Sequence, residues 1–374
     1  MKVLMFYHSL LSDWNHGNAH FLRGIASELI SRKDEVKIFE PSDSWSMKNL
    51  LKQQKNGQEV INDYYNFYPL LDSIKYDKDE LDLDNILDQA DLVIVHEWND
   101  PDIIKKLGSH RKLNTGYKLL FHDTHHRSVT DLNFVSKLDL SGYDGVLAYG
   151  SVIRDIYLSK GWSQRAWTWH EAADLRVFHP IKDKVKEGDL VWIGNWGDEE
   201  RTKELYEFLI DPAVELKIKA RIYGVRYPDN ALKEIENLGI QYGSYLPNFR
   251  VPLAFAHFKL TLHIPRGPYV KSLPGIPTIR PFEALACGIP LICSPWEDTE
   301  NLFRPGMDFL IASDGNKMKM MIRDVLNDSD LAEFLSRHGR ETILNHHTCA
   351  HRVDQLMRIC KELGVHETKD LIRE

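Results

Sequence analysis

The sequence predicts an α/β protein made of two doubly wound, Rossmann-like domains. Three observations support this fold class: the chain has 374 residues, short apolar segments alternate with amphipathic helical ones, and the alternation stops at a charged stretch and then begins again. A chain of this length exceeds one ordinary core and is typical of two domains. Buried strands that alternate with helices indicate parallel sheets with helices on both faces.

The first domain, predicted at residues 1–178, opens with a βαβ unit. Apolar residues recur at helical spacing through Ala19–Ile30, so a helix is predicted there between two buried strands. Because the other short apolar runs are bounded by polar residues, they are also predicted as strands. The predicted strands of this domain are 2–6, 36–39, 92–95, 119–121 and 146–148.

A charged stretch at 178–188, with proline near its start and glycine at its end, is interpreted as the link between the domains. The second domain is predicted at 189–345. Residues 346–374 are predicted as a separate helical segment, for which a return to the first domain is one possible course. The predicted elements of the second domain are strands at 190–193, 220–223, 260–264 and 291–293 and a helix at 199–210.

The composition of the chain bears on what it binds and where it is located. Lys plus Arg number 47 against 55 for Asp plus Glu, so the net charge of −8 disfavours general nucleic-acid binding, although a local basic cluster can still hold a diphosphate. The four cysteines lack paired spacing, which favours a reducing compartment. The apolar start of the chain is predicted as a strand, and no run reaches the roughly 18 apolar residues of a membrane span. The predicted location is cytoplasmic, with peripheral membrane contact left open.

The most informative stretch runs from Thr278 to Cys293. Pro281 suits a first helical turn and Gly288 a helix end, so a short helix is predicted with Glu283 near its N-terminus, at the sheet edge where doubly wound folds bind ligands. A carboxylate there can accept hydrogen bonds from two ribose hydroxyls, and Arg280 with the helix N-terminus can attract phosphate oxygens. The alternative is that Glu283 only caps its helix.

The segment Phe282–Pro290, together with Arg280 before it, resembles the donor-site segment of glycosyltransferases of the GT-B fold, a group 1-like family, and most of all its CgeB-like (spore-maturation type) members. The resemblance is specific over 190–312 and weaker before that. It implies two domains that face a central cleft, with an N-terminal acceptor domain and a C-terminal donor domain in which Glu283 binds the ribose. It also implies a metal-independent, hexosyltransferase-like enzyme that uses a nucleoside-diphosphate sugar, with a UDP-sugar expected, and no further cofactor.

The chain departs from the family pattern at two places. Many retaining relatives carry a second glutamate eight positions earlier, where this chain has Gly275, so retaining or inverting stereochemistry stays open. Relatives also place an arginine after the glycine of the first turn and a lysine a few residues on. Here Asn195 follows Gly194, and Arg201 stands near the place of the second cation. The alternative for Arg201 is a solvated residue paired with a glutamate.

Three more residues complete the predicted donor-binding set. Arg266 follows a predicted strand at the same sheet edge and is a phosphate candidate, and Thr278 begins the donor-site stretch. Gly17 lies in the loop at 8–18, which in relatives meets the donor phosphates or the acceptor, and a glycine permits such close approach. A plain strand-to-helix connection is the alternative for this loop.

The catalytic candidates are His122, Asp123 and His125, which follow the strand predicted to end at 121. Glycosyl transfer needs a base for the acceptor hydroxyl if configuration inverts, and it needs stabilisation of the departing diphosphate in either case. By the resemblance, His122 and Asp123 stand where similar enzymes keep a His-Asp pair. The alternatives are a metal site and a structural histidine cluster, and the prediction is that no metal is used.

The acceptor is predicted only as a hydroxyl carrier: a saccharide, a lipid-linked molecule, a protein or another alcohol. Two rivals keep the predicted donor chemistry: a sugar-nucleotide epimerase of the same fold and a non-catalytic sugar-nucleotide-binding protein. A transferase acting on modified DNA is less favoured because the net charge is −8. The oligomeric state stays open.

Overall fold

The computed structural model describes residues 1–365, which form two compact units. Unit 1 comprises Met1–Asp13, Phe21–His170 and the chain from Cys349 onward, and unit 2 comprises Trp14–His20 and Glu171–Thr348. The chain thus passes into unit 2 at residue 171, ahead of the predicted end of the first domain at 178. Of the predicted C-terminal segment 346–374, residues 366–374 lie outside the described part.

Unit 1 contains a seven-stranded parallel sheet in the order β3-β2-β1-β4-β5-β6-β7. The order reverses between β1 and β4, as in a doubly wound sheet. All five predicted strands are present. The two additional ones, β3 and β7, have three residues each, too few for a clear sequence pattern. The strands are Lys2–Phe6 (β1), Glu35–Pro41 (β2), Ile74–Tyr76 (β3), Leu92–His96 (β4), Lys118–Asp123 (β5), Gly145–Ala148 (β6) and Ala166–Thr168 (β7).

The first helix of unit 1 buries the apolar face that the periodicity of Ala19–Ile30 predicts. Leu22, Ile25, Ala26 and Leu29 on the first helix are buried to 1% exposure or less. That helix begins two residues before the part of the chain assigned to unit 1. The helices are Ala19–Ser31 (α1), Trp45–Gln53 (α2), Gly57–Phe67 (α3), Leu83–Ile86 (α4), Pro101–Leu113 (α5), Arg127–Thr130 (α6), Leu132–Val135 (α7), Ser151–Ser159 (α8) and, after unit 2, Cys349–Glu362 (α17).

Unit 2 contains a second parallel sheet, of six strands, in the order β10-β9-β8-β11-β12-β13. The order reverses between β8 and β11, so this sheet is doubly wound as well. The four predicted strands are present with small shifts at their ends, and β10 and β13 add two residues each. The strands are Gly188–Ile193 (β8), Ala220–Tyr223 (β9), Gln241–Tyr242 (β10), Phe258–His263 (β11), Leu291–Cys293 (β12) and Leu310–Ile311 (β13).

The prediction of a helix at 199–210 is wrong at both ends. It begins at Thr202 and continues through a π-helical turn, Tyr206–Ile210, into a last segment that contains Pro212. Proline has no N–H to donate to the preceding turn, which explains the wider turn before it. Arg201 therefore precedes the helix rather than lying on it.

The other helices of unit 2 flank its sheet. No helix within residues 1–365 is long and apolar enough to cross a membrane. The helices of unit 2 are Thr202–Leu205 (α9), Asp211–Glu215 (α10), Asp229–Asn237 (α11), Val251–Ala256 (α12), Gly267–Lys271 (α13), Ile279–Cys287 (α14), Gly315–Asn327 (α15) and Ser329–His346 (α16).

Candidate functional site

Helix α14 carries Glu283 between two residues with positive φ. Gly288 ends the helix at φ 67° in the left-handed conformation, where glycine has no steric penalty, as the sequence predicts. Thr278 precedes the helix with φ 56° and ψ 179°, a combination normally restricted to glycine. Strain of this kind is concentrated at functional sites. Glu283 is the fifth of the nine helical residues, at the start of the second turn.

The carboxylate of Glu283 is completely buried and accepts three hydrogen bonds. Oε1 accepts one from Nδ2 of Asn248 over 2.7 Å and one from Nδ1 of His20 over 3.0 Å, and Oε2 accepts one from Nη1 of Arg280. Burial acts to raise the pKa of this carboxyl, but the charge of Arg280 and the bonds from His20 and Asn248 outweigh it. The pKa of Glu283 lies below its usual value, so the group is ionised at neutral pH.

His20 is held in one tautomer by its second ring nitrogen. The backbone N–H of Asp174 donates to Nε2 of His20 over 2.7 Å, so the ring hydrogen lies on Nδ1, the atom that faces Glu283. The ring also stacks on Phe178, with 3.8 Å between the centroids. His20 thus donates to Glu283 from a fixed position.

The hydrogen bonds of Glu283 limit what else it can bind. A carboxylate has about four lone-pair positions, and three are occupied here. One position remains on Oε2. Glu283 therefore has the capacity for one further hydrogen bond.

The turn after β8 encloses the guanidinium of Arg201. Nη1 of Arg201 donates to the carbonyl of Ile264 over 2.7 Å, and Nη2 donates to the carbonyl of Asn195. A Cβ on Gly194 would lie 2.7 Å from the ring of Trp192, so no larger residue fits there without rearrangement. The turn therefore holds Arg201 through backbone groups.

Arg201 forms no ion pair with any residue between 1 and 365, so its charge has backbone carbonyls as partners and no carboxylate. Burial lowers the pKa of Arg201 to about 10, and the nearby charges of Arg266 and Arg280 act in the same direction. Those two neighbours do have partners: Arg266 pairs with Glu200 over 2.5 Å, and Arg280 pairs with Glu283. A half-buried cation of this kind suits an anionic ligand.

His263 ends β11 and was not singled out by the sequence. Its Nε2 lies 3.5 Å from Oγ1 of Thr278, and its Nδ1 has no hydrogen-bond partner within the described chain. Burial, with the charges of Arg201 and Arg280, lowers the pKa of His263 to about 3, so the ring is neutral. A neutral imidazole beside two guanidinium groups adds a hydrogen-bonding position without adding charge.

The segment Trp14–His20 contacts the site from the start of the chain. Nδ2 of Asn195 donates to Oδ1 of Asn15 over 2.5 Å, and Oδ1 of Asn195 accepts from the N–H of Val225 over 2.9 Å. Asn195 therefore fixes this segment to the turn after β8. A Cβ on Gly17 would lie 3.9 Å from Ile279, the first residue of α14, which places Gly17 beside the helix that carries Glu283.

Glu171 is a buried carboxyl that the sequence did not identify as a site residue. Its exposed fraction is 1%, and neither carboxyl oxygen has a hydrogen-bond partner among residues 1–365. Burial and the nearby charge of Glu283 raise the pKa of Glu171 well above its usual range. Unit 2 therefore contains two buried carboxyls whose pKa values are shifted in opposite directions, an arrangement typical of sites with separate proton-donating and proton-accepting roles.

His122 and Asp123 lie within β5 and not after it, because the strand extends to Asp123. Successive strand residues point to opposite faces of the sheet, so these two side chains do not form a pair. His122 is completely buried, with ring centroids 4.8 Å from Trp169 and 5.8 Å from Phe21. Neither of its ring nitrogens has a hydrogen-bond partner in the described structure, and burial lowers the pKa of His122 to about 3.

Asp123 has defined partners for both oxygens. Oδ2 accepts a hydrogen bond from the hydroxyl of Tyr157 over 2.8 Å, and Oδ1 accepts one from the N–H of His125 over 3.0 Å. Burial raises the pKa of Asp123 to about 6, against the opposing effects of these bonds and of the charge on Arg127. A pKa in this range suits a group that transfers protons near neutral pH.

His125 is half-buried among aromatic rings, and the neighbouring strand β4 is followed by a second acid that the sequence did not identify. Its ring centroid is 5.0 Å from that of Trp98 and 4.0 Å from that of His126. The second acid, Glu97, pairs with Arg127 over 2.9 Å. Burial raises the pKa of Glu97 well above its usual range, and the charge of Asp123 adds to this effect. Unit 1 therefore groups two buried acids at the ends of neighbouring strands.

The comparison with protein families gives one match, which covers most of unit 2 and continues into α17. Residues 201–358 match a family described as glycosyl transferase-like. The match begins at Arg201 and includes Arg266, Arg280 and Glu283. No curated protein sequence matches the chain.

Several solved structures are similar over nearly the whole chain. Sucrose-phosphate synthase from Thermosynechococcus elongatus is 13% identical with a TM-score of 0.64, over 97% of this chain and 99% of that one. Anabaena HepE in complex with UDP and glucose is 13% identical with a TM-score of 0.63, over 97% and 100%. An α-glucosyltransferase in complex with UDP-glucose and DNA containing an abasic site is 12% identical with a TM-score of 0.70, over 96% and 99%.

At these identities the structural likeness establishes the fold alone. It confirms the predicted fold class, since both units are parallel Rossmann-like sheets. The match to CgeB-like members stays a prediction. The chain has the GT-B fold and carries a glycosyl transferase-like domain, and together these findings support a glycosyltransferase.

Proposed function

We propose that this chain transfers a hexosyl group from a nucleoside-diphosphate sugar, with a UDP-sugar as the expected donor, to a hydroxyl acceptor. The observation that carries the proposal is that unit 2 contains both an ionised buried carboxylate, Glu283, and a half-buried cation that lacks a carboxylate partner, Arg201. A nucleotide sugar needs both, because its ribose donates hydrogen bonds and its diphosphate carries negative charge. The UDP bound in Anabaena HepE agrees with this donor class.

Glu283 and the three arginines have separate roles in this proposal. Oε2 of Glu283 accepts one ribose hydroxyl at its remaining lone-pair position. Arg201 and the backbone of the turn at Gly194 bind the diphosphate, and the charges of Arg266 and Arg280 add to the positive potential. Since negative charge grows on the diphosphate as the glycosidic bond breaks, these fixed charges stabilise the transition state more than the ground state.

The start of α14 supplies the close contacts around the donor. Thr278 keeps a strained backbone at the helix N-terminus, next to the neutral ring of His263. Gly17 lies against the same turn and leaves room for a ligand because it has no side chain. Asn195 fixes the segment that contains Gly17. In the proposal these residues shape the donor pocket without adding charge.

The group that accepts the proton of the acceptor hydroxyl is assigned to unit 1, among the polar residues at the end of β5. Asp123, with a pKa of about 6, is better matched to accepting a proton near neutral pH than His122, with a pKa of about 3. His125 donates its backbone N–H to Asp123 and so orients that carboxyl. In unit 2 the guanidinium groups provide the positive charge for the leaving diphosphate, so the proposed reaction remains metal-independent.

The proposal is tested by binding and by product analysis. Thermal denaturation with a panel of nucleotides and nucleotide sugars is expected to show stabilisation by UDP and UDP-sugars, by about 2.7 kcal/mol when the ligand is present at 100 times its dissociation constant. NMR of the donor incubated alone is then expected to show slow hydrolysis to UDP and free sugar. An epimerised nucleotide sugar would instead favour the epimerase, and binding without any turnover of donor in the presence of acceptor mixtures would favour a non-catalytic protein.

A further inference from the structure

We propose that Glu171 is a second hydroxyl-binding carboxyl of the donor site, where it hydrogen-bonds a diol of the nucleotide sugar next to Glu283. The inference rests on the proposed function and deepens it. A diol of this kind is present both in the ribose and in the transferred sugar ring.

The first support is the burial of Glu171 without a partner. Its exposed fraction is 1%, and both oxygens lack hydrogen bonds to any residue in the described chain. Leaving a buried polar group unpaired is costly, so buried polar side chains in folded proteins nearly always have partners. A carboxyl with two vacant oxygens in the core of unit 2 is therefore expected to be completed by a ligand.

The second support is the position of Glu171 in the chain. Two residues later, the N–H of Ala173 donates to the carbonyl of His347 over 2.9 Å, and the N–H of Asp174 then donates to His20. His20 in turn donates to Glu283. The segment that follows Glu171 is thus fixed, and the same segment orients the ligand-binding carboxylate.

The third support is that the two carboxyls complement each other chemically. Glu283 is ionised and has one free acceptor position, whereas Glu171 is held neutral and can both donate and accept a hydrogen bond. A diol presents two hydroxyls, and each can donate and accept. One hydroxyl can donate to Oε2 of Glu283 while the other exchanges hydrogen bonds with Glu171, so neither hydroxyl is left without a partner.

Calorimetric titration of wild type, Glu171→Met and Glu171→Gln with UDP and with UDP-glucose tests this inference. Glu171→Met keeps the volume but removes the polar atoms, and about tenfold weaker donor binding is expected. Glu171→Gln keeps one donor and one acceptor, so its binding is expected to stay close to wild type. Loss with both ligands assigns the ribose diol, and loss with UDP-glucose alone assigns the sugar ring.

Thermal denaturation of the ligand-free proteins separates this role from a structural one. Glu171→Met is expected to unfold at the same or a higher temperature than wild type, because an unpaired buried polar group has been removed. Equal affinity of Glu171→Met and wild type for both ligands would overturn the inference, and so would a lower unfolding temperature of Glu171→Met or equally weak binding by Glu171→Gln. If wild type binds neither ligand, the proposed function itself fails.

Discussion

Nδ1 of His20 lies 3.0 Å from Oε1 of Glu283, and both side chains are completely buried. Because Nε2 of the same ring accepts the N–H of Asp174, the hydrogen bond to Glu283 has a fixed direction. The other carboxylate oxygen, Oε2, which is bonded to Arg280 and has one acceptor position left, is thereby oriented by a residue that itself binds no ligand in the proposal. His20 is a positioning residue for the donor site.

Replacement of His20 by alanine is expected to weaken UDP binding by about tenfold, since one hydrogen bond to an ionised group is lost. His20→Asn is expected to restore most of the affinity because its amide nitrogen can occupy the place of Nδ1. Calorimetric titration with UDP measures both, with His257→Ala as a control histidine of unit 2 outside the site. Equal loss in His20→Asn and His20→Ala would contradict the positioning role.

Arg201→Met is expected to weaken UDP binding by about tenfold or more while leaving uridine binding unchanged, because only the diphosphate uses the guanidinium charge. Arg201→Lys is expected to resemble Arg201→Met, since an ammonium group cannot reach the carbonyls of both Ile264 and Asn195. Titrations with the two ligands measure the difference, and surface Arg337→Met is the matched control. If uridine binding is weakened to the same extent, Arg201 instead maintains the structure of the turn after β8 and does not bind the diphosphate.

Asp123 is expected to make the stability of the protein depend on pH. Its pKa is raised to about 6 in the folded protein, above the value near 4 of an unfolded chain. The folded state therefore binds the proton more tightly, and the contribution of Asp123 to the free energy of unfolding is highest below about pH 4, falls as the pH rises towards 6 and is constant above that.

Urea unfolding of wild type and Asp123→Asn at pH 4.5 and pH 7.5 measures this contribution. The variant is expected to gain stability relative to wild type at the higher pH, because it cannot ionise. Tyr157→Phe is a second informative variant, because it removes the hydroxyl that donates to Oδ2 of Asp123. In this variant the free energy of unfolding is expected to depend more steeply on pH. If the free energy of unfolding differs between wild type and Asp123→Asn by the same amount at both pH values, the pKa of Asp123 lies in its ordinary range.

Thr278→Gly is expected to raise the free energy of unfolding by about 1 kcal/mol. Glycine has no Cβ, so it adopts the backbone conformation of residue 278 without steric strain. Part of the relief is offset by the greater flexibility of glycine in the unfolded chain. Lys217→Gly, at a second residue of positive φ outside the site, is the matched control and is expected to gain less. Thermal denaturation compares the two, and a loss of stability in Thr278→Gly would show that the conformation is not strained.

Local signals predicted much of the fold and the short helix that carries Glu283. Helix α14 follows from Pro281 and Gly288, and the buried strands follow from short apolar runs bounded by polar residues. The partners of Glu283 could not be predicted in the same way, because His20 lies 263 positions away and Asn248 lies 35 positions away. Only the folded chain brings them together.

The prediction for unit 1 failed in one specific respect. The strand was expected to end at 121, which would leave His122 and Asp123 together in a loop, but it continues through both residues. A shift of two residues at a strand end is enough to place them on opposite faces. The end of the strand was predicted from the end of its apolar run. Because His122 and Asp123 are polar, that signal could not show that the strand continues through them.

The most direct test of the central claim is a comparison of UDP and 2′,3′-dideoxy-UDP binding to wild type and Glu283→Gln. Asp308→Asn, which alters another buried, ion-paired carboxylate of unit 2, controls for lost stability. Wild type and Asp308→Asn are expected to bind the dideoxy ligand about tenfold more weakly than UDP, and Glu283→Gln is expected to bind both ligands equally weakly. If Glu283→Gln still prefers UDP by the same factor as wild type, Glu283 does not bind the ribose.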